Sequence, residues 1–168
     1  LFRSLPAGDH RQADRFRPFV HLDQQAVLVA VDRRIDDAVL VEFGSGASEK
    51  TRILLDAAPT LSTYIPIDIS PDALNEAAER ITEAYPSIEV VPVVGDFLNL
   101  PALPELGRGR RIGFFPGSTI GNLAPETAEA LLRGMRDMLG PDALFILGVD
   151  LIKEPSTLIA AYDDAEGV

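Results

Sequence analysis

Cysteine is absent from the chain, which excludes a disulfide framework and any thiolate zinc site. Long apolar runs are absent as well. Each is broken by Asp, Arg or Pro well before the ~20 residues that a membrane-spanning helix needs. No apolar signal core stands at the N-terminus, so the cytoplasm is the expected compartment. Positive charge is scarce: 15 Lys and Arg face 26 Asp and Glu, a net charge of −11, and such a surface repels a phosphate backbone. Nucleic acid and membrane are therefore not expected as partners. The two histidines, His10 and His21, are isolated, whereas a catalytic metal site takes about three protein ligands, and no metal is expected. Internal repeats and low-complexity tracts are missing too. What the 168 residues do hold is 46% hydrophobic side chains, too many for a disordered chain and enough for the core of one domain. The chain opens on Leu1 and stops at Val168 behind an acidic run, so both ends read as cut.

Val39 to Phe43 is a short apolar run closing on Gly44, the pattern of a buried strand entering a tight turn. A helix is expected from Ser48 to Ala58, with Ile53, Leu54 and Ala57 inward and Pro59 barring its continuation. Thr63 to Ile69 reads as a second strand. Ser70-Pro71-Asp72 then opens a helix: Ser at the N-cap, Pro at the first helical position and an acid in the first turn. Leu74, Ala77, Ala78, Ile81 and Tyr85 form its apolar stripe, and Pro86 ends it. Ile88 to Val94 is a third strand, assigned to a sheet edge because Pro92 removes one ladder donor. Arg111 to Phe115 makes a fourth strand, Ala124 to Leu139 a helix with Ala128, Leu131, Leu132 and Met135 inward, and Ala143 to Val149 a fifth strand. A last helix starts near Pro155, and Val27, Leu28, Val31 and Ile35 suggest one ahead of the first strand. Alternating strands and helices imply an α/β fold: a Rossmann-like parallel sheet with helices on both faces and a ligand outside the carboxyl ends of the strands.

Gly44-Ser-Gly-Ala-Ser-Glu-Lys-Thr51 lies between a strand and a helix, where free backbone N–H groups meet a ligand. A phosphate-binding P-loop matches at Gly44, Lys50 and Thr51 but has Glu49 where its second Gly belongs. A dinucleotide turn also requires Gly at position 49. An S-adenosylmethionine site asks for less: Gly44 and Gly46 let the backbone approach the ligand, no pyrophosphate needs neutralising, and Glu42 is tolerable beside the turn. Asp68, at the end of the second strand, suits two vicinal ribose hydroxyls. Asp96 can accept from an adenine amino group, and Phe97 offers its N–H and a ring face. The combination favours a methyl donor, with an ordinary alternative in which Asp68 and Asp96 merely cap the loops behind their strands.

At Phe114-Phe115-Pro116-Gly117-Ser118-Thr119-Ile120-Gly121-Asn122 the chain becomes more specific. Together with Glu42 to Gly46, Ser48 to Thr51, Pro66 to Ser70, Gly95-Asp96-Phe97, Gly148 to Leu151 and Ala161-Tyr162-Asp163-Asp164, it resembles the histidine-specific N-alpha-methyltransferases of ergothioneine biosynthesis, from about Val39 to Val168. The resemblance implies a class I S-adenosylmethionine-dependent methyltransferase that moves three methyl groups to the α-amino nitrogen of L-histidine, giving hercynine. It implies cofactor contacts at Gly44, Lys50, Asp68, Asp96 and Phe97, beside Gly46, and substrate contacts at Gly117, Asn122 and Tyr162. Lys50 would hold the charged methionine end; otherwise it is a solvated lysine in a first helical turn. Asn122 has its own local alternative as a cap or Asx-turn residue.

The departures are two. Residues 1–38, an N-terminal segment distinct from the 39–168 core, contain no Tyr, where the family carries a tyrosine-rich segment lining the histidine pocket. The family's imidazole-reading residues lie downstream of Tyr162, beyond this chain, and two C-terminal strands of the fold are expected to be missing with them. Such a chain would leave an open edge beside its fifth strand, inviting self-association. A methyltransferase acting on another amine or amino acid, or a degenerate S-adenosylmethionine-binding module without turnover, are the alternatives.

Overall fold

The computed structural model describes residues 37–46, 49–104 and 109–149. In chain order these form β1 (Val39–Phe43), α1 (Glu49–Ala57), β2 (Thr63–Asp68), α2 (Pro71–Ala84), β3 (Glu89–Val90), β4 (Val93–Val94), β5 (Arg111–Phe115), a 3-10 turn (Thr119–Asn122), α3 (Pro125–Leu139) and β6 (Leu144–Leu147). Every side chain of β1 is buried, as expected of a strand covered on both faces. It pairs in parallel with β2 on one side and with β5 on the other, and the sheet runs β3-β2-β1-β5-β6 with β4 also on β2. The core has two layers. Leu40, Tyr64, Ile112 and Phe114 pack with Leu54 and Leu55 of α1 and Ile81 of α2, while Val39, Val41, Phe43, Ile65, Ile67 and Phe115 pack with Leu131, Met135 and Leu139 of α3. The doubly covered parallel sheet is the expected Rossmann-like architecture.

Pro92 accounts for the one break in the sheet. The third expected strand is divided into β3 and β4 around it. Glu89, Val91 and Gly95 donate their N–H groups to the carbonyls of Ser62, Tyr64 and Asp68. Odd-numbered residues thus face β2, and Pro92, which has no N–H to give, takes an outward position on the edge. The edge assignment holds; the uninterrupted strand does not.

Other boundaries shift by a residue or two. The second strand ends at Asp68 and the fifth spans Leu144–Leu147 rather than Ala143 to Val149. The inward face of α1 is corrected more substantially: Leu54 is buried as expected, but Ile53 is 41% exposed and Ala57 only half-buried, and Thr51, Leu55 and Ala58 complete the interface. At α2, Ser70 is the N-cap as expected, yet its side chain makes no capping bond; its N–H donates to Asp68 Oδ1 at 3.1 Å. No helix among the described residues is long and apolar enough to cross a membrane. The expected helices near residues 27–35 and 155–162, both histidines, Ser48 and Tyr162 lie outside the described residues.

Candidate functional site

The strand order reverses between β1 and β5, since chain order runs outward through β2 on one flank and through β6 on the other. In such a sheet the crevice outside the carboxyl ends at the reversal is the natural ligand site. The glycine turn leaves β1 there. Gly44 (φ +74°) and Gly46 (φ +48°) occupy left-handed conformations that favour glycine, and a Cβ added at Gly46 would meet nothing within 4 Å. The N–H groups of Gly44 and Ser45 donate to the Ile67 carbonyl at 2.9 and 3.1 Å, binding the turn to the end of β2.

Asp68 completes that tie. Its Oδ2 accepts from the Gly46 N–H at 2.9 Å while its Oδ1 accepts from Ser70 N. Asp96 is likewise engaged locally, Oδ1 accepting from Leu98 N at 2.8 Å and Oδ2 from Asn99 Nδ2 at 3.2 Å. The loop-stabilising alternative is therefore real for both carboxylates. Each oxygen still has a further lone pair for a ligand hydroxyl or amino group. Phe97 packs between the turn and β5: its ring lies 3.5 Å from the place a Cβ on Gly44 would take and stacks at a tilt on Phe115, centroids 5.4 Å apart.

Lys50, exposed in the first turn of α1, reaches toward the opposite side. A Cβ at Gly117 (φ +83°) would lie 3.9 Å from Lys50 Nζ, so the lysine and the loop after β5 share one wall. Gly148, after β6, packs against the same loop so closely that a Cβ would sit 2.9 Å from Gly117 N. Asn122 is exposed at the end of the 3-10 turn, and the N-cap of α3 is Ala124. Its side chain has no part in capping α3, which removes one of its local alternatives.

Beneath the turn, the acid that the sequence shows beside it has a buried role that the sequence alone does not reveal. Glu42, on β1, is 1% exposed. Its Oε2 accepts from Thr51 Oγ1 at 2.6 Å and from the Tyr64 hydroxyl. Burial pushes its carboxyl up to about 7, opposed by the Thr51 and Tyr64 bonds and reinforced by the nearby Asp68. Ser45 Oγ is also buried, with no hydrogen-bond partner among the described residues. The signal for Glu42 was a lone acid inside an otherwise apolar strand.

Chemically, the crevice combines backbone freedom with the carboxylates of Asp68 and Asp96, against the ammonium of Lys50 among the described residues. That balance suits a cationic ligand bearing hydroxyl and amino groups and disfavours a polyphosphate. Thr51, which a P-loop would aim at a phosphate-bound cation, is turned inward to Glu42.

Comparisons with known proteins identify the family and the fold. A histidine N-alpha-methyltransferase of Mycolicibacterium smegmatis is 47% identical over 133 residues, covering 77% of this chain and 41% of that protein. Its counterpart in Mycobacterium tuberculosis is 42% identical with the same coverage, so the chain spans about two fifths of the length of these curated relatives. Among solved structures, the apo form of the S-adenosylmethionine-dependent methyltransferase SibL superposes with a TM-score of 0.56 at 22% identity, over 75% of this chain and 36% of that one, a likeness of fold. The family described as "Histidine-specific methyltransferase, SAM-dependent" matches residues 22–168, starting upstream of Val39 where the motifs began. The chain belongs to the S-adenosylmethionine-dependent, histidine-specific methyltransferase family.

Proposed function

We propose that this chain forms the donor-binding portion of an enzyme that methylates the α-amino nitrogen of L-histidine, three times in turn, to give hercynine for ergothioneine biosynthesis. The observation that carries the reading is the gathering of the Gly44–Gly46 turn, Asp68, Asp96–Phe97 and the Lys50–Gly117 wall around one strand-order reversal. The names of the mycobacterial relatives support the choice of histidine.

When bound, S-adenosylmethionine supplies a methyl group on a sulfonium, a carbon already activated for in-line displacement. The protein's task is to align three atoms and keep water away. Asp68 accepts from the ribose hydroxyls with the lone pairs left by Gly46 and Ser70. Asp96 accepts from the adenine amino group, and Phe97 closes over Gly44 to shield the ligand. Lys50 holds the methionine carboxylate. On the far side Gly117 and Asn122 grip the amino-acid end of histidine, orienting the nitrogen without trapping it in a salt bridge, and the resemblance assigns Tyr162, outside the described residues, to the same task. The attacking amine has to be neutral, and an amide and a phenol leave it free to lose its proton to water.

Titration calorimetry with S-adenosylmethionine and S-adenosylhomocysteine, with and without L-histidine, tests the reading. Donor binding strengthened by histidine is expected. Donor binding indifferent to histidine would favour a module without turnover or another amine acceptor, and no heat at all would refute every methyl-donor reading. We further propose that β6, an edge strand among the described residues, with Leu144, Phe145 and Leu147 all partly exposed, associates with a second copy. Concentration-dependent dimers on size exclusion are expected, and a monomer at high concentration would refute it.

A further inference from the structure

The segment between β1 and the first turn of α1 contains Gly44, Gly46 and Lys50, three of the residues assigned to the methyl donor. On the β2 side it is held by the bonds to the Ile67 carbonyl and to Asp68. On the α1 side, among the described residues, its ends are joined by the Glu42–Thr51 bond, which spans nine positions and closes the loop from beneath. Tyr64, one strand over, donates to the same carboxylate oxygen and fixes where that oxygen stands. Thr51 directly follows Lys50 and is itself fully buried, so the placement of its hydroxyl sets the placement of the helical turn that carries the lysine.

A carboxylate at this depth is an expensive way to fill a core position. The neighbouring side chains of β1 are all apolar, and a leucine would satisfy packing without the desolvation cost of a charge. What a leucine lacks is an acceptor that can bind a hydroxyl on α1 and one on β2 together. We propose that Glu42 is a positioning residue for the donor site: through Thr51 and Tyr64 it ties the exit of β1 to the start of α1 and to β2, setting the curvature of the glycine turn and the reach of Lys50. The inference rests on the reading of the crevice as a methyl-donor site. It adds a residue that touches no ligand.

The groups facing the Glu42 carboxyl are Thr51 from α1 and Tyr64 and Asp68 from β2. The test measures S-adenosylhomocysteine affinity by calorimetry at a temperature where circular dichroism shows each protein fully folded, with melting temperatures recorded separately. Thr51→Val keeps the shape and removes the hydroxyl; it is expected to bind about tenfold more weakly, the loss of one hydrogen bond to a charged group. Thr51→Ser restores the hydroxyl and is expected to stay within about threefold of wild type. Glu42→Leu takes the acceptor away from the Thr51 and Tyr64 hydroxyls, so it is expected to melt lower; compared where it is fully folded, it is expected to lose about tenfold in affinity as well. A merely structural role would move melting temperature and leave the affinity of the folded protein unchanged. Wild-type binding matched by both Thr51→Val and Glu42→Leu would overturn the positioning role alone. A wild type that binds no S-adenosylhomocysteine would overturn the donor-site reading, and this inference with it.

Discussion

Glu42 also makes the stability of this fold depend on pH in a direction opposite to that of an ordinary salt-bridged acid. Its carboxyl rises from the usual 4.5 to about 7, chiefly because burial disfavours the charged form. The folded chain therefore holds this proton more tightly than the unfolded chain. The stabilisation is fully present below about pH 4.5, declines as the pH rises, and is gone above about 7. At about 1.4 kcal/mol per pH unit, the interval amounts to about 3 kcal/mol, a large share of the 5 to 15 kcal/mol by which domains are typically stable. Glu42→Gln carries no titrating group, and its amide oxygen can still accept from Thr51 and Tyr64. Urea unfolding followed by circular dichroism from pH 5 to 8 isolates the effect, because the other carboxylates contribute equally to both proteins. The variant is expected to gain on wild type up to about pH 7 and to level off above it, by about 2 to 3 kcal/mol in all. Parallel pH profiles would refute the reasoning, showing that the Glu42 carboxyl titrates alike in both states.

Asp68→Ala is expected to weaken S-adenosylhomocysteine binding by about 1 to 3 kcal/mol, since it removes ligand acceptors and frees the Gly46 N–H at once; unchanged affinity in calorimetry with an intact fold would dismiss the ribose role. Asn122→Ala, measured in the full-length protein, should leave S-adenosylhomocysteine affinity nearly unchanged and cut kcat/KM for histidine by about 10², the cost of a misplaced nucleophile. A lower melting temperature with wild-type turnover would mark Asn122 as a turn residue instead. Gly113→Ala would drive a Cβ to 2.4 Å from the Phe145 ring and 2.6 Å from Leu139, and a loss of about 1 to 3 kcal/mol in urea unfolding is expected from the overpacking. No loss would mean that the contact between β5, β6 and α3 relaxes freely.

The limits of β1 and β5 could be read residue for residue, because short apolar runs closing on Gly44 and on Pro116-Gly117 leave little freedom for a strand end. The edge position of Pro92 was legible for the same kind of local reason, a missing donor. The inner face of α1 was not. Apolar spacing placed Ile53 inside, whereas the helix turns Thr51 inward to meet Glu42, a choice made by a partner on another element. Glu42 was visible as an acid beside the turn, but its buried role was not, because that role comes partly from Tyr64, 22 positions away in sequence and adjacent only once β1 and β2 pair. Around the crevice, the residue types at the strand ends announced a site, and their local bonds appeared only with the loops folded. Asp68 and Asp96 illustrate this: each is a loop anchor and a candidate ligand contact at the same time.

Lys50 Nζ lies 3.9 Å from the place a Cβ on Gly117 would take, so one ammonium stands between the two proposed halves of the crevice. The ammonium belongs to the helix behind the donor turn, yet its charge is felt at the loop assigned to the amino-acid acceptor. A carboxylate arriving on either side changes the field that the other side's ligand meets. Thermodynamic linkage makes such an influence mutual: the factor by which histidine alters donor affinity equals the factor by which the donor alters histidine affinity. In the proposed reaction, which returns to the same nitrogen three times, such linkage would let the exchange of spent donor for fresh be governed by the partly methylated amino acid still in place.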